Sequence, residues 1–178
     1  YSASATNSTF IKTCCTATCA RTIIYIAITI TCAVSDAFKA AGFKAPVSHD
    51  IRSEIWLKLW GNLTFNPISS LAHATLVDIC QFPLTRELAA AMMTEAQAIA
   101  EHLGVKFPVD VERRIDGGAA VGAHRTSMLQ DLDAGRPMEI DALVGSVQEL
   151  GRLMDIPTPT IDTVLALIQL RGKVSGLY

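Results

Sequence analysis

Apolar residues recur at helical spacing along most of the chain, and the clearest case lies between Asp50 and Pro67. Ile55, Leu59 and Leu63 return every four residues, which is the period of one helix face. Asp50 is a typical N-cap residue, and proline ordinarily stops a helix. The pattern therefore predicts a helix from Asp50 to Pro67, with an apolar face broad enough to belong in a core.

Capping residues and glycines divide the rest of the chain after residue 35 into short helical segments. The expected elements are a short helix closed by Gly42, a helix beyond Pro67 with a break near Thr75, a long helix from a cap at Thr85 to Gly104, a short helix over 108–115, a flexible linker over 116–122, a helix ending at Gly135, an amphipathic helix opening with Glu139 and Asp141, and a last helix from a cap at Thr160 to Gly172. About seven helices with short links predict a compact helical bundle.

The first 34 residues have a different pattern. Isoleucines at positions 24, 26, 28 and 30 alternate with smaller or polar residues, and a period of two predicts a β-strand. Because a lone strand is not stable, we expect it to pair with a second strand within residues 8–20 or with a sheet that these residues do not supply.

Composition excludes several classes of function. The chain has 178 residues with a net charge of -2, and it contains no basic run of the kind that binds nucleic acid. No apolar run approaches the ~20 residues that cross a bilayer. We therefore expect a cytoplasmic protein that binds neither nucleic acid nor membrane.

Five cysteines offer little metal chemistry. Cys14, Cys15, Cys19, Cys32 and Cys80 are an odd number, and their spacing lacks the second pair or nearby histidine of a zinc site. The expectation is free thiols and no bound metal.

A polar stripe runs along the otherwise apolar helix that begins at Asp50. Lys58, Asn62 and Asn66 are spaced by four, so they share one edge of the helix. Lysine is rarely buried without partners, and the two amides could support it and reach a ligand. The alternative is that Lys58 extends to solvent while the asparagines bridge neighbouring helices.

Four separated motifs, in the right order, resemble the C-terminal domain of the ketopantoate reductase family. They are residues 56–67 (WLKLWGNLTFNP), 126–131 (TSMLQD), 135–141 (GRPMEID) and the pair Thr158 and Pro159. The resemblance extends from about residue 35 to residue 170.

This resemblance implies the fold and the domain organisation. It implies an all-helical C-terminal domain similar to that of 6-phosphogluconate dehydrogenase, which would make residues 35–172 a substrate and dimerisation domain and residues 173–178 a tail. Residues 1–34 would then be a β-rich remnant of a Rossmann-type dinucleotide-binding domain. The chain has no Gly-x-Gly-x-x-Gly turn, so we expect a fragment that lacks the cofactor domain.

The resemblance also implies roles for five residues. Lys58 matches the catalytic lysine, which hydrogen-bonds the keto oxygen and supplies a proton as hydride arrives from NADPH. Asn62, Asn66 and Ser127 match substrate contacts. Glu139 matches an acidic residue at the active-site cleft, with a catalytic role and a part in holding the cofactor. We expect Lys58 to be enclosed by apolar side chains.

The implied function is a reductase that converts ketopantoate to pantoate in pantothenate biosynthesis, acting as a homodimer through its helical domain. The residues leave two alternative functions open. One is a helical binding or assembly module without catalytic activity, and the other is a related reductase of a different 2-keto acid.

Overall fold

A computed structural model describes residues 27–178 of the chain. The chain divides into two compact units, Tyr1–His49 and Asp50–Tyr178, which are described separately. In the first unit the described residues form a helix, α1, over 27–40. It ends as predicted at Gly42, whose φ of 88° places it in the left-handed region that glycine tolerates best.

The predicted strand over 24–30 is wrong in its described part, because residues 27–30 belong to α1. Residues 24–26, the proposed partner strand within 8–20, and most of the supposed β remnant lie outside the described residues. A helix satisfies its backbone N–H and C=O groups within one segment, whereas a strand needs a neighbour. The hydroxyl of Thr31 also donates to the carbonyl of Ala27, 2.8 Å away, as threonine commonly does inside helices.

The second unit is helical throughout, and residues 27–178 contain no strand. Its elements are α2 (Ile51–Ala72), α3 (Leu76–Gln81), α4 (Pro83–His102), α5 (Val111–Ala120), α6 (Ser127–Asp133), a π-helical turn (Asp141–Gly145), α7 (Ser146–Leu153) and α8 (Pro159–Val174). The expected all-helical fold is confirmed for these residues.

Helix α2 lies at the centre of this unit, in contact with α3, α4, α6, α8 and the π-helical turn. Trp60 is fully buried, its indole N–H donates to the carbonyl of Met93 at 2.7 Å, and its ring centroid lies 4.3 Å from that of Phe107. Met92 and Met93 are also fully buried and belong to the same core. The residues that carry the polar stripe are therefore fixed by the core itself.

Helix α2 does not end at Pro67, as the sequence predicted, but continues to Ala72. Proline lacks an N–H, so the carbonyl four residues earlier loses its helical partner. Residues 63–70 are all buried, and this packing outweighs the missing hydrogen bond. The helix ends at His73, which has a left-handed φ of 56° and donates its N–H to the Ser69 carbonyl.

The linker predicted over 116–122 is wrong, because its first five residues belong to α5. The glycines there indicate close packing rather than flexibility. A Cβ atom on Gly118 would lie 3.1 Å from the ring of Phe65 and 3.2 Å from Sγ of Cys80. Glycine therefore lets α5 approach α2 and α3 closely.

Several helix ends differ from their predicted positions. Thr85 lies inside α4, which begins at Pro83, and its hydroxyl donates to the carbonyl of Ile79 at 2.7 Å. Thr160 lies inside α8, and Gly172 does not stop that helix. Gly172 packs instead against Tyr178, where a Cβ would lie 2.7 Å from the tyrosine Cβ. The predicted break at Thr75 is confirmed, since Thr75 caps α3.

The chain forms a π-helical turn immediately before α7. Ile140, Val144 and Val147 remain buried across it, so it lies against the core. Outside the core, the Tyr178 hydroxyl lies 2.9 Å from Oδ1 of Asp141, and this hydrogen bond raises the pKa of Tyr178.

The start of α8 is capped by a side chain from α4. The carboxylate of Glu95 accepts hydrogen bonds from the backbone N–H groups of Thr160 and Ile161, at 2.8 and 2.9 Å. We expect Glu95→Ala to lower the free energy of unfolding by about 1–2 kcal/mol, as for the loss of a helix cap. Urea unfolding checks this, with Glu87→Ala, an exposed glutamate of the same helix, as the matched control. Equal losses in the two variants would contradict the capping role.

Candidate active site

A cleft of about 430 Å³ opens between α2, α5, the start of α6 and the segment before the π-helical turn. The five residues singled out from the sequence all line it, namely Lys58, Asn62, Asn66, Ser127 and Glu139. They come from three separated segments of the chain. Their assembly in one cleft is a structural fact, whereas their chemical roles stay predictions.

The polar stripe of α2 is placed by a well-defined helix start. The carboxylate of Asp50 accepts from the backbone N–H of Ser53 at 3.2 Å and from its hydroxyl at 2.6 Å. These hydrogen bonds stabilise the ionised form and lower the pKa of Asp50. From this start the helical period brings Lys58, Asn62 and Asn66 to the same edge of the cleft.

Asn66 is the most enclosed member of the stripe, with 4% of its surface exposed. Its side-chain nitrogen is buried and has no hydrogen-bond partner in the structure. A buried donor without a partner costs free energy, so most such groups are satisfied by protein, water or ligand. Asn66 therefore presents an amide donor that an oxygen atom in the cleft can satisfy.

Ser127 is held in place by the loop before α6 and by the cap of that helix. The backbone N–H of Leu76 donates to the carbonyl of His124 at 3.0 Å, which ties the loop to α3. Thr126 then caps α6, since its hydroxyl accepts from the N–H of Leu129 at 3.3 Å. Ser127 is the first residue of α6, so these hydrogen bonds fix its position in the lining of the cleft.

Glu139 lies at the end of a short non-helical segment that is anchored on its amino-terminal side. Arg136 donates to the carboxylate of Asp131, with Nε at 2.8 Å and Nη2 at 2.7 Å. The N–H of Met138 donates to the carbonyl of Leu177 at 3.2 Å. Glu139 itself is exposed, so its carboxylate is solvated at the edge of the cleft.

The structure corrects the expectation that apolar side chains enclose Lys58, because this residue is exposed. The apolar side chains near Lys58 in the helix are buried in the core instead. Trp60 and Leu63, for example, are fully buried on the other side of α2. Lys58 therefore lies at the open edge of the cleft, where its ammonium group is accessible.

Sequence reasoning missed two residues that shape the cleft, Arg114 and Gly61. Arg114 is one of several charged residues in α5, and nothing in the sequence distinguishes it. Gly61 could have been noticed in the sequence, because it interrupts a run of good helix-forming residues. A glycine at such a position often marks the close approach of another group. Here the approaching group is the Arg114 side chain.

The two cysteines among the described residues are free thiols. Cys32 is an exposed free thiol and Cys80 a buried one, and burial raises the pKa of the Cys80 thiol. Cys14, Cys15 and Cys19 lie outside the described residues. Within residues 27–178 no group of three His, Cys, Asp or Glu side chains is arranged to hold a metal ion, and no helix there is long and apolar enough to cross a membrane.

The fold and the cleft together define an all-helical domain with a polar pocket suited to a small ligand. Residues 50–172 match the family described as ketopantoate reductase PanE/ApbA C terminal. The chain belongs to this family.

Individual relatives support the same assignment. The chain is 64% identical over 138 residues to the 2-dehydropantoate 2-reductase of Mesorhizobium japonicum, with 78% of the chain and 42% of the relative covered. A solved structure from Ralstonia solanacearum MolK2, assigned as a ketopantoate reductase, superposes with a TM-score of 0.78 at 42% identity and covers 83% of the chain and 44% of its own.

A second similar structure is that of the dimeric ketopantoate reductase from Staphylococcus aureus. Its TM-score is 0.61 at 25% identity, with 73% of the chain and 46% of that structure covered. The chain thus spans less than half of the length of each of these three proteins.

Proposed function

We propose that the chain carries the substrate-binding and proton-donating half of a 2-dehydropantoate 2-reductase, which reduces the keto group of 2-dehydropantoate to an alcohol. The observation that carries this proposal is the cleft in which Lys58, Asn62, Asn66, Ser127 and Glu139 meet. Membership of the ketopantoate reductase family supports the choice of substrate.

Lys58 is the proposed proton donor. A nicotinamide cofactor, when bound, supplies a hydride to the carbonyl carbon, and negative charge then builds on the carbonyl oxygen. An ammonium group hydrogen-bonded to that oxygen stabilises the charge and gives up its proton to form the alcohol. The exposed position of Lys58 at the edge of the cleft lets it reach such an oxygen and be reprotonated by solvent.

The amides and the hydroxyl are proposed to orient the substrate. The unpartnered side-chain nitrogen of Asn66 donates to a substrate oxygen, which removes the cost of leaving it buried and unsatisfied. Asn62, one turn nearer to Lys58, lies beside the reacting carbonyl. Ser127 contributes a hydroxyl from the start of α6, which also lines the cleft.

NADPH is the proposed cofactor, but this chain offers little of its binding site. A dinucleotide is usually held by a glycine-rich turn between a strand and a helix, and the sequence contains no Gly-x-Gly-x-x-Gly turn. The residues therefore fit the substrate side of the reaction, with Glu139 the residue that we place beside the cofactor. We propose that a separate dinucleotide-binding domain completes the site.

We also propose that residues 35–172 act as a substrate and dimerisation domain and that the protein forms a homodimer through it. The support for a dimer is the dimeric relative from Staphylococcus aureus. Analytical ultracentrifugation of the purified protein would measure its mass in solution, and a purely monomeric species at micromolar concentration would contradict this part of the proposal.

The central test is an assay of 2-dehydropantoate reduction. The protein, expressed from its own gene, is mixed with 2-dehydropantoate and NADPH, and the loss of NADPH absorbance is recorded. Pantoate formation with an equal loss of NADPH supports the proposal. Other 2-keto acids serve as competitors, since faster reduction of one of them would make the protein a related reductase of different specificity.

A separate titration distinguishes the catalytic proposal from a helical module without activity. Binding of 2-dehydropantoate is measured by calorimetry for the same protein and for Asn66→Asp, which replaces the unpartnered donor with a carboxylate. Weaker binding in Asn66→Asp is the expected result, because an anion would then face the substrate oxygen. Absence of both binding and turnover in the unmodified protein would favour the non-catalytic module.

A further inference from the structure

Arg114 lines the same cleft as Lys58, yet the proposed mechanism gives it no role. It extends from α5 to the backbone of α2 at Gly61. A Cβ atom on residue 61 would overlap Nη2 of Arg114 and would lie 3.1 Å from its Cζ. The guanidinium group therefore rests directly on α2, one turn beyond Lys58 and next to Asn62.

No carboxylate neutralises this guanidinium group in the part of the chain that the structure describes. The ion pairs among residues 27–178 involve Lys39, His73, Arg86, Arg125 and Arg136, but not Arg114. Its Nε atom is buried and has no hydrogen-bond partner there.

The surroundings of Arg114 do not offer a substitute for a counter-ion. Burial lowers the pKa of Arg114, and the Cys80 thiol could offset this effect only in its ionised form. That thiol is itself kept neutral, since burial raises its pKa. A guanidinium group remains protonated even so, and holding it half-buried without an anion costs free energy.

The charges of the cleft favour an anionic ligand. Lys58 and Arg114 contribute two positive charges, and Glu139 contributes one negative charge. A 2-keto acid carries one carboxylate beside its carbonyl group. The planar guanidinium group binds a planar carboxylate through two parallel hydrogen bonds, a geometry that lysine cannot provide.

We propose that Arg114, seated on Gly61, binds the carboxylate of the 2-keto acid and makes the cleft selective for acids over neutral carbonyl compounds. This inference rests on the proposed function. It assigns the carboxylate to Arg114 and leaves Lys58 for the carbonyl oxygen. Gly61 is then a specificity determinant as well, because only glycine leaves room for the guanidinium group against the helix.

The test compares 2-dehydropantoate with its methyl ester, which keeps the carbonyl group but has no charge. Steady-state kinetics with NADPH are measured for the unmodified protein, Arg114→Gln and Arg114→Lys. Arg114→Gln should raise KM for the acid by about ten- to a hundredfold, which is the value of hydrogen bonds to a charged group. KM for the ester and kcat for both substrates should change little, and Arg114→Lys should give an intermediate KM for the acid.

Arg113→Gln is the matched control, because Arg113 precedes Arg114 on α5 and is exposed outside the cleft. It should leave both KM values unchanged. Gly61→Ala is a second variant that displaces the guanidinium group without removing its charge, and helix propensity favours it. It should also raise KM for the acid more than KM for the ester, and it keeps the proposal testable if Arg114→Gln fails to fold.

The outcomes separate this inference from the proposed function. If the protein reduces the acid and Arg114→Gln leaves the ratio of the two KM values unchanged, the role of Arg114 is overturned while the reductase proposal stands. If the protein reduces no 2-keto acid, calorimetric titration with 2-dehydropantoate decides the matter for Arg114. Binding that weakens in Arg114→Gln supports the anion site, and equal or absent binding in the two proteins overturns it.

Discussion

Replacing Lys58 with alanine should lower kcat for 2-dehydropantoate reduction by about 10²–10⁴-fold, with a much smaller change in KM. The reason is that Lys58 interacts most strongly with the oxygen after hydride arrival, so its loss affects the transition state more than the bound substrate. Steady-state kinetics on the purified variant measure both constants. Since Lys58 is exposed, the substitution should leave the fold intact, which circular dichroism can verify.

Two further variants show whether the lysine acts as an acid or only as a charge. Lys58→Arg keeps the positive charge but holds its proton far more tightly, so it should bind substrate and still turn over slowly. Lys106→Ala removes an exposed lysine that does not line the cleft, and it should behave as the unmodified protein does. Full turnover in Lys58→Ala would remove Lys58 from the mechanism.

Trp60→Ala should have the largest effect on stability. Trp60 is fully buried, packs against Phe107 and donates its indole N–H to the carbonyl of Met93. Removing so large a side chain leaves a cavity in the core and costs about 3–5 kcal/mol of the free energy of unfolding. Urea unfolding followed by circular dichroism measures this loss.

Ile55→Ala is the matched control for Trp60→Ala, because Ile55 lies on the same helix with 57% of its surface exposed. Its free energy of unfolding should change by less than about 0.5 kcal/mol, as is usual for surface substitutions. Similar losses in both variants would show that α2 is not organised around Trp60.

The sequence pattern was sufficient to predict the fold class and the polar stripe of α2. Residues spaced by four on one helix must share an edge, so Lys58, Asn62 and Asn66 had to lie together once α2 was recognised. Ser127 and Glu139 could be added only through the resemblance to a family, because helical periodicity says nothing about which distant segments meet.

The errors have physical causes that a single sequence does not reveal. The period-two pattern does not exclude a helix over 27–30, because a helix satisfies its backbone groups within one segment. Pro67 is tolerated because tertiary packing around it offsets a lost hydrogen bond, and Gly118 serves close contact rather than flexibility. Tertiary packing decided the cases of Pro67 and Gly118.

The same limit applies to the two cations of the cleft. Lys58 was expected to be enclosed because its neighbours are apolar, but those neighbours point to the other side of α2. Arg114 looked like one more surface charge of α5, and only the absence of a side chain on Gly61 hinted at its position. Burial and pairing of charged side chains depend on contacts between elements, which local patterns do not encode.

The π-helical turn at Asp141–Gly145 has a consequence for sequence change in this region. Such a turn holds one residue more than the α-helical turn it would replace, so it rotates everything on its amino-terminal side by roughly 100° relative to α7. Deleting a single residue there would restore an ordinary α-helix. With α7 held in its present position, Glu139 would then turn away from the cleft. Length within this short segment is thus constrained by the cleft and by the core, because the buried side chains of Ile140 and Val144 would turn together with Glu139.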